Sequence, residues 1–184
     1  GVNDVYPEED VEYEVFTVAG KSGVRHIAGA QHVDGLSREA LFDFPFGLDV
    51  HPRTEDVYVC DSNHPFNGAS LGNIIRKISK GYAISPERME KYTLVKRDKI
   101  RNGTFKVGRQ LSFTTTYAGK LFSGWQDGHL RDAMFDNPFA MAFDPYGSLV
   151  VCDTGNNRIR KISPEGQVTT LAGWDREEMG EGYV

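Results

Sequence analysis

The chain has 184 residues, 39% of them hydrophobic and 11% aromatic, with 20 glycines, two cysteines and a formal charge of −5 from 21 basic and 26 acidic side chains. That length suits a domain with a real core, but no apolar run approaches the roughly 18 residues of a membrane helix. Two cysteines are too few for a disulfide scaffold and lack the spacing of a zinc site, and the mild acidity argues against a general nucleic-acid binder. Abundant glycine without a collagen period points to the many turns of an all-β fold.

In chain order, residues 1–10 read as an acidic N-terminal tail: Asp4, Glu8, Glu9 and Asp10, followed by Glu12 and Glu14, face no base before residue 15. Residues 11–29 read as the last two strands of a preceding unit, Val11–Val18 and Val24–Ala28, around a turn at Gly20–Gly23. Residues 30–118 form a full unit, residues 119–173 a second, and residues 174–184 a lead-out to a further unit or a tail. The start at Gly1, without a methionine or signal-like segment, fits a processed chain or an excerpt.

The two full units match block by block. Ala28-Gly29 corresponds to Ala118-Gly119, Asp34-Gly35 to Asp127-Gly128, and Ala40-Leu41-Phe42 to Ala133-Met134-Phe135. Pro45-Phe46 corresponds to Pro138-Phe139, Val59-Cys60-Asp61 to Val151-Cys152-Asp153, and Ile75-Arg76-Lys77-Ile78-Ser79 to Ile159-Arg160-Lys161-Ile162-Ser163. The first unit is longer because of insertions at 62–73 and 80–112, which spare the repeated blocks and therefore belong in surface loops. The second unit resolves into four strands, Phe139–Asp144, Ser148–Asp153, Arg158–Ser163 and Gln167–Ala172, separated by Pro, Gly and Asn turns. An antiparallel four-stranded unit recurring at about 50 residues predicts the blade of a β-propeller, incomplete here at about two and a half blades.

The run of Val-Thr-Thr-Leu-Ala-Gly, Asp-Gly, Asn-Pro-Phe and Val-Cys-Asp-Thr-Gly-Asn-Asn-Arg-Ile-Arg-Lys-Ile in the second unit resembles the NHL repeat. The first unit is similar but interrupted. The resemblance implies a propeller, typically six-bladed, that binds proteins or RNA; a minority of relatives are metal-dependent lyases. Function therefore has to be argued from sites.

Asp61 and Asp153 follow the second strand of their units, where a carboxylate accepts turn amides or pairs with the basic Arg158/Arg160 edge; Arg76 and Arg160 recur with them as structural repeat residues. Their recurrence speaks for a structural role, since a catalytic site is normally singular. Cys60 and Cys152 occupy equivalent slots suited to buried thiols, too far apart for a mutual disulfide. Asp34-Gly35 and Asp127-Gly128 fall in the crossings between blades, where a residue with positive φ is useful. Phe42, Phe135, Pro45 and Pro138 read as inter-blade packing. Among His26, His32, His51, His64 and His129, a metal site would need several to converge; His51 is the best placed, yet its counterpart is Asp144. No motif nominates a nucleophile, a cofactor or a small-molecule substrate.

The 80–112 insertion is the most individual stretch. Residues 80–109 carry nine bases and three acids, including Lys96, Arg97, Lys99, Arg101, Lys106 and Arg109 beside Phe105. Asn102-Gly103 between β-prone flanks predicts a hairpin, and Asn102-Gly103-Thr104 is also a glycosylation sequon. These side chains are the expected partner-binding residues. The leading expectation is a protein-interaction or scaffold module within a larger protein or assembly. The alternatives are single-stranded RNA binding through the basic insertion, to which Tyr92, Phe105 and Phe113 would add stacking, and a metal-dependent lyase or hydrolase at the propeller channel. Two and a half blades leave sheet edges and faces open, so the chain is expected to need further blades.

Overall fold

The computed structural model describes residues 17–21, 32–62, 72–80 and 112–173. It is all-β. Two antiparallel five-stranded sheets stand in succession, and among the described residues the one helical element is a single 3-10 turn at Thr154–Asn156. The first sheet comprises β1 (Gly35–Leu36), β2 (Phe44–Val50), β3 (Val57–Ser62), β4 (Ile74–Lys80) and β5 (Ser112–Gly119), in the order β1-β5-β4-β3-β2. The second comprises β6 (Gly128–His129), β7 (Pro138–Phe143), β8 (Leu149–Asp153), β9 (Arg158–Ile162) and β10 (Gln167–Ala172), in the order β6-β10-β9-β8-β7. This is the arrangement of consecutive blades in an incomplete propeller.

Each sheet has five strands where four were expected. The fifth is only two residues long, too short to show any periodicity in sequence. It is the Asp-Gly block of the crossing: Gly35 and Gly128 hold φ of 147° and 140° and let the chain pair briefly with β5 and β10. The expected strand Val11–Val18 falls largely outside the described residues; Val18, which is described, lies in a bend at Val18–Gly20. The expected strand Val24–Ala28 lies wholly outside them.

Register shows how closely the units correspond. Val59 pairs with Arg76 as Val151 pairs with Arg160, and Cys60 with Ile75 as Cys152 with Ile159. A bulge recurs in the fourth strand, where Tyr117 and Leu171 are the extra residues, and another in the first, at Phe46 and Phe139. Bulges add local twist, so both blades twist at the same positions.

Alternation decides the core. In β8, Leu149, Val151 and Asp153 are buried while Val150 and Cys152 are half-buried. The core lies between the sheets: Tyr58, Cys60, Ile75 and Ala118 of the first pack with Leu149, Val151, Ile162 and Val168 of the second, and with Ala133 and Phe135 of the crossing. Tyr58 sits edge-on to both Tyr117 and Phe143, with ring centroids 4.8 and 4.9 Å apart. Phe135 is fully buried, a burial worth about 1.5–3 kcal/mol.

Near the axis the seam is tight. A Cβ on Gly47 would lie 2.6 Å from the Phe139 carbonyl oxygen and 2.8 Å from Ala140 Cα, so only glycine lets β2 and β7 approach this closely. Two residues on, Asp49 accepts a hydrogen bond from the Phe143 amide at 2.7 Å. Ser62 Oγ donates to the Pro138 carbonyl, and the Asn137 amide donates to Asn73 Oδ1 at 2.8 Å.

At the other end of the first sheet, Lys77 Nζ lies 2.8 Å from Asp56 Oδ2, which also accepts from Thr54 Oγ1 at 3.0 Å. Burial pushes the Asp56 carboxyl up, but the Lys77 and Thr54 hydrogen bonds and the Lys77 charge outweigh it and leave the group below the ordinary carboxylate range. Burial lowers Lys77, but the Asp56 hydrogen bond together with the charges of Tyr58 and Asp56 and a Tyr58 hydrogen bond outweighs it, so the ammonium ends above its usual value. A lowered carboxyl stabilises the fold above its ordinary pKa and loses that contribution as pH falls through the folded value; the raised lysine loses its contribution as pH rises through its own. Asp56→Asn is therefore expected to cost about 1–2 kcal/mol near neutral pH. Urea denaturation of variant and parent should converge in acid, once the parent's carboxyl is protonated.

Candidate functional site

Each blade is tied by one buried arginine. In the first, Arg76 projects from β4 and donates through Nη1 to the Leu41 carbonyl at 2.8 Å and to Asp61 Oδ2 at 3.0 Å. Its Nη2 reaches the Val33 carbonyl at 3.1 Å and Asp34 Oδ1 at 3.0 Å. In the second, Arg160 of β9 repeats every contact: Met134 carbonyl at 2.9 Å, Asp153 Oδ2 at 2.8 Å, Gln126 carbonyl at 2.8 Å and Asp127 Oδ1 at 2.7 Å. The four carbonyls belong to the members of two isolated bridges, Val33–Leu41 and Gln126–Met134. A planar guanidinium with a fixed fork of donors can hold two carboxylates and two carbonyls together; a lysine ammonium cannot.

The remaining carboxylate capacity is filled from the backbone. Asp61 Oδ1 accepts from the Asp43 and Phe44 amides at 2.9 and 3.1 Å, and Asp153 Oδ1 from the Asp136 amide at 2.7 Å. Asp34 and Asp127 accept from the amides of Thr116 and Thr170, both at 2.9 Å, and from their hydroxyls. Both buried aspartates thus bind turn amides and an arginine at once. Asp34, Asp127 and the two threonines were not assigned these contacts from sequence, although a signal was present: Thr-x-Ala-Gly recurs at Thr116 and Thr170 alongside the repeated Asp-Gly.

Around this shared core the clamps differ in detail. Asn156 Nδ2 donates to Asp153 Oδ2 at 2.9 Å, whereas His32 places Nδ1 2.7 Å from Asp61 Oδ2. Arg160 Nε also reaches Asp127 Oδ1, at 3.2 Å, whereas Arg76 Nε is buried without a partner among the described residues. His32, Asp34, Ile74 and Thr116 line a shallow cleft of about 460 Å³ together with Gly119, Lys120, Leu121 and Phe122. Phe122 is 67% exposed, and nearby Trp125, 46% exposed, stacks on the Arg158 guanidinium at 4.1 Å.

Both cysteines are free. Cys60 is fully buried, and burial, then the influence of Cys152 and Asp61, pushes its thiol up to about 12. Cys152 is only half-buried, which departs from the expectation of two equally buried thiols: its side of the second sheet has no described neighbour. His51 follows β2, and its Nδ1 accepts the amides of Arg53 and Thr54, both at 3.2 Å. That use as a turn acceptor differs from the metal-ligand role considered for it. His26 and His64 lie outside the described residues, and among the described residues no group of three or more metal-ligating side chains converges. Among the described residues no helix is long and apolar enough to cross a membrane.

The expected partner-binding residues Lys96, Arg97, Lys99, Arg101, Phe105, Lys106 and Arg109 lie outside the described residues, as does Asn102. What is described is the stem that carries them. β4 and β5 stay paired through Ser79–Phe113 and Lys80–Ser112, past the rung Ile78–Thr114 that corresponds to the last rung of the second hairpin, Ile162–Val168. Because β3, β4 and β5 are antiparallel, residues 63–71 and 81–111 leave the sheet from opposite ends.

No family model matches the chain, and no curated protein matches it. Solved structures do. A structural-genomics protein of unknown function from Bacteroides thetaiotaomicron VPI-5482 is 22% identical, with a TM-score of 0.50 over 78% of this chain and 26% of that one. An auxiliary nutrient binding protein from the same organism is 18% identical, with a TM-score of 0.46 over 76% and 27%. Another, from Bacteroides ovatus ATCC 8483, is 15% identical, with a TM-score of 0.40 over 86% and 44%. At these identities the likeness concerns the fold. The chain spans about a quarter of the length of the first two.

Proposed function

We propose that this chain is a segment of an NHL-type propeller that works as a protein-binding scaffold, with residues 81–111 as its recognition loop. The observation that supports it is the contrast between frame and loop. Strand for strand, bulge for bulge and clamp for clamp the two blades agree, while the first alone carries a long basic excursion on an extended β4–β5 stem. A frame that repeats is a platform, and recognition belongs to the part that does not repeat. The excursion is strongly basic, so it suits an acidic protein surface; net charge there governs encounter more than fold.

The test replaces residues 80–112 with Pro-Glu-Gly, so that Ser79-Pro-Glu-Gly-Phe113 matches the Ser163-Pro164-Glu165-Gly166-Gln167 turn of the second hairpin. The trimmed chain is expected to keep its melting temperature within a few degrees and to lose binding to an acidic polypeptide such as polyglutamate. Binding by the parent should weaken as salt rises. Single-stranded RNA serves as the competing probe: tighter binding to RNA than to polyglutamate, with a steep salt slope, would replace the protein reading by the RNA one. Equal binding by trimmed and parent chains to either probe would end both.

A further inference from the structure

The two blades share a clamp but not what stands beside it. His32, two residues before Asp34, corresponds to Trp125, two residues before Asp127. Ile74 corresponds to Arg158, since Asp61 pairs with Ile74 as Asp153 pairs with Arg158. In the second blade this pair closes on itself, the Trp125 ring stacking on the Arg158 guanidinium at 4.1 Å. In the first, an imidazole and a branched aliphatic side chain are too small to do the same, and both line the cleft of about 460 Å³. The crossing beside that cleft is also the longer of the two: Gly119 to Asp127 takes eight residue steps where Gly29 to Asp34 takes five. It carries Leu121 and Phe122 into the lining while leaving them 39% and 67% exposed.

The polar groups of the cleft are of complementary kinds. Lys120 has no hydrogen-bond or ion-pair partner among the described residues, so its ammonium has donors to give. Asp34 accepts from Arg76 Nη2 and from the Thr116 amide and hydroxyl, yet its side chain stays 46% exposed and keeps acceptor capacity. Thr116 Oγ1, having donated to Asp34, is left as an acceptor. A phosphate entering here would meet a carboxylate beside a single free ammonium, and a cation would meet that ammonium. A neutral ligand whose groups both donate and accept meets neither repulsion. Its body must also be apolar on one face, to lie against Ile74, Leu121 and the open Phe122 ring. A pyranose combines these properties: each hydroxyl donates and accepts, and the C–H bonds of one ring face form a flat apolar surface about the size of a phenyl ring.

We propose that this cleft binds a neutral pyranose sugar, with Phe122 as the stacking platform and Lys120, Asp34 and Thr116 as partners of its hydroxyls. The volume lies within the range of small-molecule sites. The site goes beyond the scaffold reading and is independent of it, because Gly119 and Ile74 stand at the end of the first sheet from which residues 63–71 leave, away from residues 81–111.

The test is a titration of the isotope-labelled 184-residue chain with the methyl glycosides of glucose, galactose, mannose and xylose, followed by amide chemical shifts. At least one glycoside should bind with a Kd of about 1 mM, as a small ligand in a shallow site does, and should shift the amides of Gly119, Lys120 and Leu121. Phe122→Ala and Lys120→Met should each weaken that binding roughly tenfold, with melting temperatures within about 2 °C of the parent because neither side chain is buried. If all four glycosides leave these amides unmoved at millimolar concentration, or if Phe122→Ala binds as the parent does, the proposal is overturned. Should a variant fail to fold, the parent decides: glycoside shifts confined to residues away from the cleft overturn the proposal. Free L-phenylalanine is the competing probe, and stronger shifts of the same amides by it than by any glycoside would replace the sugar by an amino acid. The chain trimmed of residues 80–112 should bind glycosides as the parent does, so failure of either reading is seen without the other.

Discussion

Arg160→Met is expected to destabilise the chain by about 3–5 kcal/mol, the cost of stranding a buried charge by removing its partner. The side chain is fully buried, and so is Asp153, whose Oδ2 it holds at 2.8 Å. Methionine fills much of the same volume but donates nothing, so Asp153 is left with the Asp136 amide and the Asn156 amide group, and the Gln126 and Met134 carbonyls lose the guanidinium and keep only each other's amides. Arg160→Lys restores charge but not the fork, and should recover only part of the loss. Asp153→Asn in the Arg160→Met background removes the stranded charge and should recover a further part. The measurement is urea denaturation of the three variants and the parent. If Arg160→Met costs less than 1 kcal/mol, the clamp does not hold the blade together as its geometry indicates.

Gly119→Ala has the second largest expected effect, about 3 kcal/mol, from two independent causes. The residue holds φ of 95°, which strains any residue with a Cβ. The added Cβ would also lie 2.6 Å from the Asn73 carbonyl oxygen and 3.0 Å from the Phe135 ring, an overpacking that backbone cannot relieve cheaply. Gly20→Ala is the control: it shares positive φ, at 106°, but a Cβ there would meet nothing within 4 Å. The difference in melting temperature between the two variants isolates the close approach from the strain. Equal shifts would show that the Asn73 contact contributes nothing.

The four longer strands of the second blade were legible in the sequence to within one residue at either end, because period-two alternation and Pro, Gly and Asn turns act locally. The clamp was legible by halves. Val-Cys-Asp and Ile-Arg-Lys announced themselves by repetition, and a carboxylate that also accepts turn amides was expected at Asp61 and Asp153. The carboxylates of Asp34 and Asp127, and the threonines that orient them, belong to the same device but join it only when the crossing folds back over β4 or β9. His32 was not legible as a clamp residue. It stands before the first strand, while Asn156, which fills the same place in the second blade, follows β8. Two residues that converge on one oxygen from unrelated loops leave no common spacing to read. The half-buried state of Cys152 was hidden for the opposite reason: its sequence context matches that of Cys60, and only the neighbouring sheet tells them apart.

Ala140 and Ala142 stand in β7 at the register positions that Gly47 and Asp49 hold in β2, a difference that bears on how such a chain avoids going wrong while it is made. Tandem repeats with near-identical strands risk misassembly, in which one unit docks where its neighbour belongs. Gly47 and Asp49 accept β7 at a distance and with a hydrogen bond that Ala140 and Ala142 cannot offer. A newly synthesised second blade therefore finds its best fit on the first and a poorer one on a copy of itself. The mismatch at two positions of one strand thus favours one docking order between units that otherwise share a register.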